Sequence, residues 1–455
     1  MTEVRGLRIA IVNWRDPWHP EAGGAEVYAW ELARRFAERG ADVTYVTSRA
    51  PGQARGGTVD GVRFARMGGR FTVYPRVLAW LLARRRRFDA AIDCQNGIPF
   101  FTPWVLRAPV FCSIFHVHDG QFALYFPAWL AWIGRTLEGP VARWSYRRHA
   151  CTAISTTTVT ALRDRLHWTG PIYTVPVGVT VPTASREHGD PAAPGPAGTS
   201  GGDPATARRA DPAGEGRGVP ELVCVTRLVP HKRVDRVLDL AAHLRVTRPG
   251  VRVHVVGRGP EEERLAALVV ERGLGDVVTL HGFVDEDVKA ALVARADLHL
   301  SASRGEGWGL CVAEAAASGV PTVAYDVDGL RDAVRDGVTG WLVPGDEPLA
   351  ATVERALKEL DDAARRAEIA RACRAWAAEF DWSRSADRMA ALVAAAVRRG
   401  TSGTTGAGAQ LVRRYGDGDN APIVVEGPLR DELLGQGAVV VRDATPHETL
   451  LGRGL

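Results

Sequence analysis

The sequence predicts an α/β protein with two parallel-sheet domains, and three features carry that expectation. Apolar strand-like runs alternate with helical periodicity from Leu7 onward. The alternation stops near residue 182, and residues 183–218 contain no aromatic residue and no Leu, Ile or Val. It restarts at Glu221 and continues to the end of a long helical stretch near residue 399.

The elements of the first domain follow in order. Residues 7–14 (LRIAIVNW) form a short continuous apolar run, the pattern of a buried strand. Ala25, Ala29, Leu32, Ala33 and Phe36 then share one helix face, and Gly40 is placed to end that helix. A second strand is expected at Val43–Thr47, and strand–helix–strand with short connections implies a parallel sheet. Apolar runs at 88–92 and 109–115 and the segment 150–182 extend the alternation.

Residues 183–218 cannot bury enough apolar surface to offset their ordering entropy, so a disordered Pro/Gly/Ala-rich insertion is expected there. Beyond it the order is ELVCVT, a helix from about 233, VRVHVVG, a helix at 261–272, VVTLHGF, a helix at 286–295, and the strand DLHLS. Helices at 310–318, 348–359, 364–378 and 383–399 complete the second domain, the last expected to pack back on the first. The expected divisions are therefore 1–182, 183–218, 219–399 and 400–455. The final segment opens Gly/Thr-rich, ends with the runs IVV and VVV, and receives no role.

The six cysteines are scattered without a C-x-x-C pair, which suits reduced, buried thiols rather than a disulfide frame or zinc site. The N-terminus runs almost directly into a strand, with no signal-peptide pattern. Gly120–Gly134 is uncharged but short of the roughly twenty residues a bilayer requires. A cytoplasmic protein is the expectation. Charge is unevenly divided: residues 1–182 hold 23 Arg and 13 acids, a balance of +10, while the rest holds 34 basic and 40 acidic residues, or −6. A basic half suits an anionic partner, or is simply a solvated surface.

The stretch SRGEGWGLCVAEAAASGVP (303–321) concentrates the chemistry. It follows a strand and opens a helix, where ligands of open α/β sheets bind. Gly305, Gly307 and Gly309 permit close backbone approach, and the amides of Leu310 and Cys311 can hold phosphate. Glu306 projects from the loop and Glu314 lies one turn into the helix, so the two acids can read different parts of one elongated ligand. A core helix with two surface acids is the plainer alternative. Arg227 and Lys232, in VTRLVPHKRVD, place two cations at another strand end, suited to a diphosphate. Only Lys232, Lys289 and Lys358 are lysines.

Taken in order, TRLVPHK, VVGRGPEEERL, LHGFV and EGWGLCVAEAAASGVPTVAYDVDGLRDAVRDGVTGWLVP resemble the donor half of glycosyltransferase family 4, with its E-x7-E pair. In the first half, HPEAGGAEVYAWELARRFAERGADVTYVT resembles that family's glycine loop and first helix. The resemblance implies a GT-B fold, two Rossmann-like αβ domains facing across a cleft. It implies a retaining, metal-independent hexosyltransferase that needs no cofactor and draws on a UDP- or GDP-sugar. Arg227 and Lys232 are then expected to clamp the diphosphate, Glu314 to bond the ribose, Glu306 to face the sugar, and Gly23 and Gly24 to approach the diphosphate.

The family also places a histidine near the donor sugar, and VFCSIFHVHDG offers His116 and His118. Strand register favours His116; a His–Val–His metal pair and plain strand-end polarity stay open. One departure stands out. Val177 precedes Gly178 where the family usually has Asn. The acceptor is unreadable, with a lipid-linked sugar or cell-envelope glycan among the choices.

Residues 122–148 are aromatic-rich with basic ends and accompany the Arg84–Arg87 run. They suit either an anionic membrane interface, making the protein peripheral, or a core helix with a solvated edge. Rival functions are another GT-B chemistry and a non-catalytic sugar-nucleotide binder. Dispersed arginines without a binding module argue against nucleic acid as partner.

Overall fold

The computed structural model describes residues 4–170, 172–180 and 219–398, and four strand segments beyond them. The expected insertion at 183–218 lies outside the described residues. In the first half the order is β1 (Arg8–Val12), α1 (Gly24–Glu38), β2 (Asp42–Thr47), β3 (Gly56–Val59), β4 (Val62–Arg66), α2 (Val73–Leu82), β5 (Ala90–Gln95) and β6 (Val110–Ile114). Then come α3 (Phe122–Tyr125), α4 (Ala128–Thr136), a π-helical turn at Leu137–Val141, α5 (Ala142–Tyr146), β7 (Ala150–Ala153), α6 (Thr156–Asp164) and β8 (Ile172–Thr174). The strands form one sheet in the order β3-β4-β2-β1-β5-β6-β7-β8. All neighbours are parallel except the β3–β4 hairpin, which the apolar pattern does not announce because all four β3 residues are exposed.

The second half runs β9 (Glu221–Val225), α7 (Val234–Thr247), β10 (Arg252–Val256), α8 (Glu262–Glu271), β11 (Val278–Gly282), α9 (Glu286–Arg295) and β12 (Leu298–Ser301). It continues with α10 (Leu310–Ala317), β13 (Thr322–Tyr325), α11 (Leu330–Ala333), β14 (Gly340–Val343), α12 (Leu349–Asp361), α13 (Ala363–Ala377) and α14 (Trp382–Arg398). Its parallel sheet has the order β11-β10-β9-β12-β13-β14. The order reverses at β9 and β12, so the loops leaving those strands meet at the switch point. Those loops carry Arg227, Lys232 and Glu306. The strand segments 411–413, 423–426, 439–445 and 448–452 form a separate four-stranded antiparallel sheet.

The chain crosses between the halves twice. After β8 it passes through Val177–Val179, and before α14 it returns at Phe380, whose carbonyl accepts the Val179 amide at 3.0 Å. Gly178 is needed at this crossing, since a Cβ there would lie 2.4 Å from the Trp382 indole. α14 packs on α1, burying Trp382, Met389 and Val393 in the core that holds Tyr28, Leu32 and Phe36. Burial of each such side chain contributes about 1.5–3 kcal/mol. Arg39 and Asp387 tie the two helices at 2.6 Å.

Candidate active site

The site is built where the β12–α10 loop meets the end of β6. Gly309, at φ +101°, is the N-cap of α10, and a side chain there is strained. The Leu310 and Cys311 amides open that helix, where no preceding turn supplies their partners. Gly307 passes so close to β6 that an added Cβ would sit 2.2 Å from the Phe115 carbonyl oxygen. Gly305 lies against His116, with 3.4 Å between its virtual Cβ and Cε1. The glycines therefore let this loop enter the cleft and touch the other domain.

Glu306 is held from several sides. Its amide donates to the Asp328 carbonyl at 2.8 Å, and its carboxylate accepts from Ser303 Oγ at 2.7 Å and from Lys232 Nζ. Burial alone would raise this carboxyl; the Lys232 ammonium outweighs it and brings the group down to about 2. Lys232 closes a 3-10 turn, Pro230–Lys232, and α7 begins after Arg233. Arg233 takes a left-handed φ of 48°, held by stacking on Tyr325 and a 2.9 Å bond to the Ala302 carbonyl. That strained residue aims Lys232 at the cleft.

Glu314 is one turn into α10, with Oε2 3.1 Å from Lys289 Nζ; Lys289 also reaches Glu286 at 2.6 Å. Burial raises the Glu314 carboxyl and Lys289 opposes the rise. Cys311 is raised by burial to about 12, which leaves it a thiol rather than a nucleophile. All six cysteines are free, five of them buried.

Across the cleft, Gly23 is the N-cap of α1 and donates its amide to Glu26 Oε2 at 2.8 Å. Its virtual Cβ lies 3.5 Å from Arg227 Nε, so the exposed Arg227 guanidinium stands over the glycine loop of the other domain. Gly24 has open space at its Cα. His116 donates from Nδ1 to the Glu306 carbonyl at 3.1 Å, and its Nε2 lies 3.0 Å from Gln121 Nε2. Burial lowers His116 to about 3, with His118 adding to the effect, so the ring is neutral. His118, 5.2 Å away between ring centroids, pairs with Glu138. Among the described residues no cluster of three or more His, Cys, Asp or Glu could hold a metal.

Of the expected site residues, the contacts join Gly23 to Arg227, Lys232 to Glu306, and His116 to Gly305, Glu306 and His118, with Gly307 against Phe115 and with Gly309, Leu310 and Cys311 opening α10. Glu314 is paired with Lys289 instead, and nothing lies within 4 Å of a Cβ built on Gly24. The motifs do not single out Ser303, Gln121, Glu138 or Lys289. For Lys289 a signal existed: lysine is so scarce in this chain that each one stands apart.

The family model for group 1 glycosyl transferases matches residues 209–373, and that for Glycosyltransferase Family 4 matches 22–181. A D-inositol 3-phosphate glycosyltransferase of Xylanimonas cellulosilytica is 30% identical over 442 residues, covering 88% of this chain and 99% of that one. One of the same description from Geodermatophilus obscurus is 37% identical over 186 residues. That match covers 38% of this chain and 40% of the relative, less than half of its length. Among solved structures, the sucrose-phosphate synthase of Thermosynechococcus elongatus aligns at a TM-score of 0.67 and 19% identity, over 85% of this chain and 98% of that one. Anabaena HepE in complex with UDP-glucose aligns at 0.59 and 17%, over 86% and 100%. At such identities the likeness is one of fold, and the fold is GT-B. Both family models and the near full-length relative agree: the chain belongs to glycosyltransferase family 4.

Proposed function

We propose that this protein moves a hexose from a UDP- or GDP-linked donor to a lipid-linked or cell-envelope glycan, with retention at the anomeric carbon and without a bivalent metal. The observation that carries this reading is the meeting of the two halves at the Glu306 loop, with His116 on Glu306, Lys232 beside it and Arg227 over Gly23. Arg227 and Lys232 supply two cations where a leaving diphosphate accumulates charge, and the Leu310 and Cys311 amides add helix N-terminal donors. Gly23 and Gly24 leave room for that diphosphate against backbone. Glu314 suits ribose hydroxyls, and the ionised Glu306 suits positive charge developing at the sugar. Substitution on the front face, without a covalent nucleophile, fits this set. Calorimetry with UDP-, GDP- and ADP-sugars tests the donor, and NMR of the product tests the anomer. Micromolar binding of a UDP- or GDP-sugar and a retained anomer are expected; no binding, or an inverted product, overturns the reading.

Features of the first domain support a further reading, a place at the inner face of the cell membrane. No described helix is long and apolar enough to cross a membrane. α4 buries Ala131 and Gly134 but leaves Trp129 and Trp132 about two-thirds exposed, and Trp144 of α5 is exposed as well. Trp rings beside arginines suit an anionic lipid surface.

A further inference from the structure

His116 and His118 are separated by one residue, yet their ring nitrogens are used differently. The Glu306 carbonyl can only accept, so Nδ1 of His116 carries its proton and Nε2 receives the Gln121 amide. Both nitrogens of His116 are engaged, Nδ1 in holding the Glu306 loop against β6 and Nε2 by Gln121 of its own domain. His118 meets a carboxylate instead. Glu138 Oε1 accepts the His118 backbone amide at 2.7 Å and lies 3.2 Å from its Nδ1. Glu138 as a carboxylate can only accept, which puts the proton of a neutral His118 ring on Nδ1. Its Nε2 has no hydrogen-bond partner among the described residues, and the side chain keeps 19% of its surface open.

Glu138 has no exposed side-chain surface, and its Oε2 has no hydrogen-bond partner among the described residues. Leaving a buried carboxylate oxygen unpaired is destabilising, so core packing does not account for it. Its position comes from the π-helical turn Leu137–Val141 between α4 and α5, where Pro140 cannot donate a helical bond. That turn directs residue 138 beneath the end of β6.

We propose that Glu138 is a positioning residue: it fixes His118 with its proton on Nδ1 and leaves Nε2 as a bare hydrogen-bond acceptor for a hydroxyl of the acceptor molecule. This deepens the transferase reading and rests on it for the hydroxyl, but not for the tautomer. His116 belongs to the loop, and His118 to the reacting groups.

The test is nitrogen NMR of the full chain labelled with [15N]histidine, with His118→Asn used to assign the signal. His118 is expected in the Nδ1–H form. In Glu138→Met the signal should move toward the Nε2–H form, and Glu138→Gln, which keeps an acceptor oxygen, should restore it. With UDP-glucose or GDP-mannose, whichever binds, Glu138→Met should lower kcat at least tenfold while donor KM moves less than threefold. Finding the wild-type proton on Nε2, or a Glu138→Met chain that loses melting temperature and donor affinity with an unchanged tautomer, overturns the proposal. A wild-type chain that binds neither sugar nucleotide would defeat the transferase reading and leave the tautomer result standing.

Discussion

Lys289 Nζ stands 3.1 Å from Glu314 Oε2, just as Lys232 stands against Glu306. Two of the three lysines in an arginine-rich chain therefore neutralise the two acids of the E-x7-E pair. The consequences differ because burial wins at one acid and loses at the other. Glu314 is raised, whereas Glu306 is held at about 2.

Removing Lys289 should make donor binding pH-sensitive. In the proposed donor complex Glu314 binds ribose as a carboxylate, and burial already favours its neutral form. In Lys289→Met the opposing charge is gone, so donor affinity should fall away at a higher pH than in wild type as pH decreases. Calorimetric titration across pH 5–8 checks this, and coincident curves for the two proteins would sink it.

The two glutamates should carry different kinetic signatures. On the proposed reading Glu314 meets a part of the donor whose bonding barely changes, so Glu314→Gln should raise KM with a smaller effect on kcat. Glu306→Gln should lower kcat by a factor on the order of a hundred with donor affinity little moved. Because the Glu306 carboxyl is held at about 2, any acid limb of wild-type kcat above pH 4 should persist in Glu306→Gln.

Transfer should proceed in excess EDTA. In the proposed donor complex Arg227 and Lys232 meet the diphosphate and supply the positive charge that a metal ion would otherwise bring. Loss of most activity in chelator, restored by magnesium or manganese, is the contrary result.

The exposed Trp129, Trp132 and Trp144 face and the Arg84–Arg87 run should give salt-sensitive binding to anionic vesicles. Co-sedimentation with phosphatidylglycerol and phosphatidylcholine vesicles at low and high salt reads this out. Equal binding to both, or none to either, contradicts it.

Gly307→Ala should weaken donor binding at least tenfold. Its Cβ would meet the Phe115 carbonyl oxygen at 2.2 Å, and backbone must move to relieve that contact. Wild-type affinity in this variant would mean the loop and β6 separate freely.

Much of the donor side is legible in the sequence because its residues sit in short contiguous motifs at strand ends. The loop glycines, Glu306 and Glu314 occupy one stretch, and α9, expected at 286–295, forms at Glu286–Arg295. The other side is harder to read. His118 acquires its partner from Glu138, twenty residues away, through a π turn that no periodicity marks. The choice between His116 and His118 depends on which nitrogen meets which oxygen. That is a property of tertiary packing, within the first domain at His118 and between domains at His116, and strand register does not show it. Val177 in place of Asn has a physical setting as well: it is buried beside the crossing, where Gly178 meets Trp382.

The return of α14 to α1 has a consequence for how the chain is made. The first domain is encoded at the beginning, yet part of its apolar core, from Trp382 to Ala395, is encoded some two hundred residues after β8. While the chain emerges from the ribosome, the exposed flank of α1 has no cover until the last helix appears. The first domain therefore completes its core only after the second has been synthesised, and a chain stopped before Trp382 carries an open apolar face rather than a finished half.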